Sequence, residues 1–128
     1  QMVVPDLDNI LFQLQHDLDE RGLLEDTLVV AMGEFGRTPW INAARGRDHY
    51  PNAWSLTMFG SGIQPGAVVG ATDKLGAEVV DKPFDEQNLF ATIFSALGID
   101  PHAEFKLENF PTFHHVEDRS EPIREVLA

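Results

Sequence analysis

Cysteine is absent from the chain. That excludes disulfides, thiolate metal sites and a cysteine nucleophile, and leaves the redox compartment open. Positive charge is scarce: nine Lys and Arg stand against 21 Asp and Glu, for a formal net charge of −12 and a pI near 4.5. A nucleic-acid binder needs a basic stripe to meet phosphate, so nucleic acid is excluded as a partner. A small anionic substrate is not excluded, since two arginines can act locally on an acidic chain. No apolar run approaches the roughly 20 residues of a membrane-spanning helix. The chain opens Gln1-Met2 with no signal peptide, which reads as a piece of a longer protein cut just before a helix.

What is present suffices for one domain. The chain has 128 residues, 43% of them hydrophobic, enough for a core and too apolar for general disorder. Leu28-Val29-Val30-Ala31-Met32 is an unbroken apolar run that ends at Gly33. Such a run reads as a strand buried on both faces, the kind found in a parallel sheet. Ahead of it, residues 5–22 carry Ile10, Leu11, Leu14 and Leu18 at helical spacing, with Asp6 near the start and Gly22 as the stop. Residues 84–97 form a second helix with Asp85 as N-cap, Phe84 and Leu89 as a hydrophobic staple, and Gly98 and Pro101 beyond its end. Between the helices, 53–59 reads as a second strand. Short strands at 67–69 and 77–80 flank the Thr72-Asp73-Lys74 corner in a small β excursion. From about residue 101 the chain is irregular, with one closing turn of helix at 122–127. The expected fold is α/β: a partial, mostly parallel sheet flanked by helices.

The chemistry concentrates in the polar loop 33–51. In open α/β sheets ligands bind just beyond the carboxyl ends of the strands, and Glu34 lies two residues past such an end. Glu34 offers a hard oxygen, Asp48 a second carboxylate and His49 an imidazole. Without cysteine, these suit Zn, Mn, Ca or Mg. Arg37 offers a planar fork for phosphate or sulfate, and Arg45 and Arg47 add positive charge. The competing reading is local bracing, with a Glu34–Arg37 ion pair and an Asp48–His49 hydrogen bond. Thr38, before Pro39, reads as structural. His114, His115, Glu117 and Asp118 form a second polar group, but neighbours in extended chain point to opposite faces, and a solvated tail is the better reading.

Glu34-Phe35-Gly36-Arg37-Thr38-Pro39, Gly46-Arg47-Asp48-His49-Tyr50-Pro51, Gly70-Ala71-Thr72-Asp73 and Leu97-Gly98-Ile99-Asp100-Pro101 together resemble the family catalogued as domain of unknown function 1501, over nearly the whole chain and in order. The resemblance identifies the chain with sulfatase-like proteins of the alkaline phosphatase superfamily, and implies that residues 1–128 are the C-terminal part of one alkaline-phosphatase-like α/β domain. It implies a metal-dependent hydrolase of phosphate or sulfate esters, exported from the cytoplasm. The nucleophile would come from the N-terminal part of the same polypeptide, and the substrate would be a small anionic ester. Glu34-Phe35-Gly36 then stands where the superfamily has Asp-His-Gly, and His49 where it has a lone His. The implied metal ligands are Glu34 and His49, with Asp48 as a substitute, for a divalent ion such as Zn, Ca or Mn. Arg37 or Arg47 would steady the developing oxyanion. Phe35 departs from the pattern because it cannot ligate. That keeps alive a non-catalytic binding or structural member with an emptied site, and an interaction fragment with no site of its own.

Overall fold

The computed structural model describes residues 3–128. An 18-residue helix, α1 (Val3–Glu20), leads through a 3-10 turn at Leu24–Asp26 into β1 (Leu28–Ala31). There follow β2 (Gly36–Arg37), β3 (His49–Tyr50), β4 (Thr57–Gly60), β5 (Ala71–Thr72) and β6 (Val79–Asp81). Next come helix α2 (Glu86–Ala96), β7 (Glu104–Phe105) and β8 (Phe113–His114), and a 3-10 turn at Arg124–Val126 closes the chain.

No parallel sheet is found among the described residues. The strands form four separate antiparallel pairs: β1 with β4, β2 with β3, β5 with β6 and β7 with β8. The expected mostly parallel, alkaline-phosphatase-like sheet is therefore overturned. The run 28–32 is also not buried on both faces: residues 28–31 are half-buried and Met32 is exposed, and an apolar run does not state the direction of its neighbour. Here residues 32–56 double back through the β2–β3 ladder, so β4 returns against β1 with Leu28 opposite Gly60 and Ala31 opposite Thr57. The strand expected at 53–59 starts at Thr57, none forms at 67–69, and the small excursion is β5–β6 around the expected corner.

The core gathers on α2 rather than on β1. Leu89, Ala91 and Ala96 are buried there, joined by Ala53 and Val116, and Thr92 is sealed completely. The start of α2 is built as its sequence indicates. The Asp85 carboxylate accepts from Asn88 N, while Asn88 Oδ1 accepts from Asp85 N, a reciprocal cap. Thr92 Oγ1 donates to Asn88 O at 2.7 Å and accepts from Ile123 N at 2.8 Å, tying the closing segment to the helix. Gln64 N bonds Val126 O, Ala128 N bonds Gly62 O, and Lys82 pairs with Glu125. Gly62 has φ +69°, and a Cβ there would run into the Ala96 backbone, so only glycine lets this turn lie against the end of α2. The segment beyond 101 is solvated only in part. The His115 ring stacks on Phe94 at 4.3 Å and meets Phe105 edge-on at 4.5 Å, and Val116 is buried, whereas His114, Glu117 and Asp118 keep the open setting expected.

By contrast α1 stands out from the body. Leu7, Ile10 and Leu14 on its apolar stripe are exposed, and Asp6 lies in its first turn instead of capping it. No helix among the described residues is long and apolar enough to cross a membrane.

Two outcomes follow from these bonds. Thr92→Val keeps the volume but removes the acceptor of the part-buried Ile123 N–H, so urea unfolding should show a loss of about 1 kcal/mol. In the β5–β6 turn the Asp73 carboxylate accepts from Ala77 N at 2.7 Å, and this bond, ahead of the amides of Glu78, Leu75 and Gly76, holds its pKa below the ordinary carboxylate value. A folded-state pKa below the unfolded one contributes stability that is complete above about pH 4 and fades as pH falls through the folded value. An acid titration of unfolding should therefore be steeper for the wild type than for Asp73→Asn.

Candidate functional site

The polar loop is held by the short β2–β3 ladder. Gly36 opposes Tyr50 and Arg37 opposes His49. A Cβ at Gly36 would strike the Ala53 carbonyl oxygen, so glycine is what allows β2 to sit this close. Beyond the ladder Thr38 is only 4% exposed. Its N–H donates to Asp48 O, its hydroxyl donates to Trp40 O, and Asp48 N donates to that same hydroxyl. The structural reading of Thr38 is the one its contacts support.

Asn42 then shapes the tip. Its Oδ1 accepts from Ala44 N and Gly46 N, and its Nδ2 donates to Asp48 Oδ1 at 2.7 Å. The loop closes on itself with Arg45 at a left-handed φ of 59°. Three of the nine Lys and Arg residues thus fall between positions 37 and 47, a stretch with no acid of its own, flanked by Glu34 and Asp48.

Side chains alternate across the ladder, and this sorts the candidates. Arg37 and His49 are direct cross-strand partners and share a face. Phe35 shares it too: its ring lies 3.8 Å from the His49 ring, and the Arg37 guanidinium sits 5.3 Å from its centre. Phe35, where the superfamily pattern has a ligand, is here a platform that orients both neighbours. The Asp48 carboxylate is engaged by Asn42 instead. The Arg47 guanidinium donates to Thr38 O, and Arg37 Nη1 reaches Arg47 O only at 3.5 Å. Trp40 meets Tyr50 edge-on at 5.5 Å. Glu34 is exposed, and among the described residues it has no hydrogen-bond or ion-pair partner, so neither bracing pair forms.

Among the described residues no three His, Asp or Glu side chains come together in a way that could hold a metal ion. Glu34, Asp48 and His49 are therefore not gathered into such a group here. Adjacency in sequence explains the miss: positions 48 and 49 point to opposite sides of one strand. A large hollow lies elsewhere. A cavity of about 1350 Å³ opens between β4, residues 61–72 and α2, lined by Trp54, Met58, Val68, Phe84 and Leu89, and none of the five candidate residues borders it.

The model of a family described as a protein of unknown function, DUF1501, matches residues 1–127. The chain belongs to the DUF1501 family. Comparison with curated proteins and with solved structures returned no match. The family match carries the resemblance as far as DUF1501 itself; the further likeness to sulfatases and alkaline phosphatases lies outside it, and the sheet that likeness implied is absent among the described residues.

Asn42 was not singled out by the sequence, although an Asn four residues before a Gly in a loop is the signal for such a turn. Asn42→Ala should loosen residues 42–48. Amide exchange at Ala44 and Gly46 should rise by about tenfold or more, while protection in α2 stays as it is.

Proposed function

We propose that this chain binds the anionic head of a phosphate or sulfate ester through Arg37 and His49, as part of a DUF1501 hydrolase. The observation that carries this reading is the cross-strand pairing of Arg37 with His49 over the Phe35 ring, on the most basic strip of an acidic chain.

In this reading the Arg37 guanidinium gives two parallel N–H bonds to two non-bridging oxygens, a match that Lys cannot make. Its present bond to Arg47 O is long, so an incoming oxyanion displaces little. His49 faces the same oxyanion and hands a proton to the leaving oxygen as the ester bond breaks. Phe35 keeps the imidazole from turning away. Arg47, bound to Thr38 O, braces the loop and adds to the local positive field. The nucleophile belongs to the N-terminal part of the same polypeptide. No step passes through a metal ion.

A second reading has its own support. The Phe35 ring covers one face of His49, which suits a non-catalytic anion-binding member of the family.

Titration with inorganic phosphate, followed by NMR, should shift the Arg37 Nε–H and the His49 ring signals, with EDTA making no difference. Arg37→Ala should abolish both shifts. In the polypeptide with its N-terminal part, Arg37→Ala should lower ester hydrolysis by about 10²–10³-fold. Phosphate binding without hydrolysis selects the second reading. Unmoved signals at both residues would end the first and the second alike.

A further inference from the structure

Tyr50 opposes Gly36 in the β2–β3 ladder, so its side chain leaves the strand on the face away from Arg37 and His49. Trp40 closes on the Tyr50 ring edge-on, with centroids 5.5 Å apart and planes at 79°. The backbone of Trp40 is held as well: its carbonyl accepts from the hydroxyl of Thr38, itself buried. The Trp40 side chain nevertheless stays 55% exposed. It is a flat apolar plate, fixed in place by its neighbours and open to solvent.

Polar atoms stand beside this plate. Asn52 Nδ2 donates to the Tyr50 hydroxyl oxygen at 3.3 Å and to Glu78 Oε1 at 2.9 Å, joining the end of β3 to the residue before β6. Among the described residues the Tyr50 hydroxyl proton, Asn52 Oδ1 and Glu78 Oε2 have no hydrogen-bond partner. Asn52 and Glu78 are exposed, and both border the cavity beside β4. Such a patch fits a ligand that is apolar on one face and carries hydroxyls around its edge. A pyranose ring has that form. Its C–H face rests on the electron-rich face of an indole, and its hydroxyls both donate and accept. A polypeptide segment laid over the patch would instead have to bury the Glu78 carboxylate, which has no Lys or Arg partner among the described residues. That carboxylate and the net charge of −12 also repel acidic sugars, which leaves neutral ones.

We propose that Trp40, Tyr50, Asn52 and Glu78 form a subsite for a neutral sugar ring, with Trp40 carrying the stack and Asn52 and Glu78 meeting neighbouring hydroxyls. The subsite uses neither Arg37 nor His49 and stands apart from the anion-binding reading. One stacked ring and a few exposed hydrogen bonds give a Kd of about a millimolar, so the natural ligand is a chain of linked sugars rather than a lone monosaccharide.

Titration with three neutral oligosaccharides, cellohexaose, mannohexaose and xylohexaose, tests this, followed through the indole N–H NMR signals of Trp40 and Trp54. At least one of them should move the Trp40 signal, with a Kd of about a millimolar or below, and inorganic phosphate should not compete. Trp40→Ala should raise that Kd by about tenfold or more, while Trp40→Tyr, which keeps an aromatic face, should retain most of the affinity. Glu78→Ala should raise it by about threefold or more without touching the plate. The proposal is overturned if the Trp40 signal stays still with all three sugars, or if Trp40→Ala binds as the wild type does. It is overturned equally if the polypeptide with its N-terminal part binds none of them, because that part then covers Trp40.

Discussion

The hydroxyl of Thr92 is the tie on which the body of this protein depends. It is sealed from solvent, donates within α2 and accepts from Ile123. Through it the closing segment is fastened across the helix. The same segment reaches the 60–64 turn through Gly62, Ile63 and Gln64, and Lys82 through Glu125. A part-buried donor with its one acceptor removed costs part of its desolvation penalty, so the contact is asymmetric: modest when made, more costly when broken. Apolar packing alone would not fix the path of an otherwise irregular segment over the helix.

The candidate site is built on a different economy of means. It has almost no core of its own. A ladder of two residues on each side, a buried Thr38 and an Asn42 that satisfies two loop amides hold the arginines in place. Aromatic stacking then sets which side chains share a face. The consequence is that Arg37 and His49 lie together, whereas Asp48 is drawn off by Asn42. The positive strip survives on an acidic chain because its charges are local and exposed, where water screens the distant carboxylates.

Local signals in the sequence were legible where the chemistry is local. Asp85 and Gly98 mark the ends of α2 because capping involves residues a few positions apart. Gly22 ends α1 and the Thr72–Lys74 corner makes a hairpin for the same reason. Strand direction was not legible. Val29 and Val30 suit a strand, whereas the return of β4 against them is decided by the path of 32–56, a property of the whole loop. The arrangement of the candidate ligands was not legible for a related reason: Glu34, Asp48 and His49 are suitable residue types, but they are not gathered into one group, and ladder geometry places consecutive side chains apart. The role of Phe35 was hidden too, since a stacking platform leaves no mark beyond one aromatic residue. The family membership, carried by motifs in order, was readable from the chain itself.

The fastening of residues 120–128 also has a meaning for biosynthesis. The bonds from Ile123, Val126 and Ala128 reach back to Thr92, Gln64 and Gly62. During synthesis α2 can coil as soon as its own residues emerge, since its cap is local. Its inner face must then wait, bare, until residues 120–128 have left the ribosome exit tunnel. Nascent chains halted short of Ile123 would display that apolar face to chaperones until Ile123 and its neighbours were added.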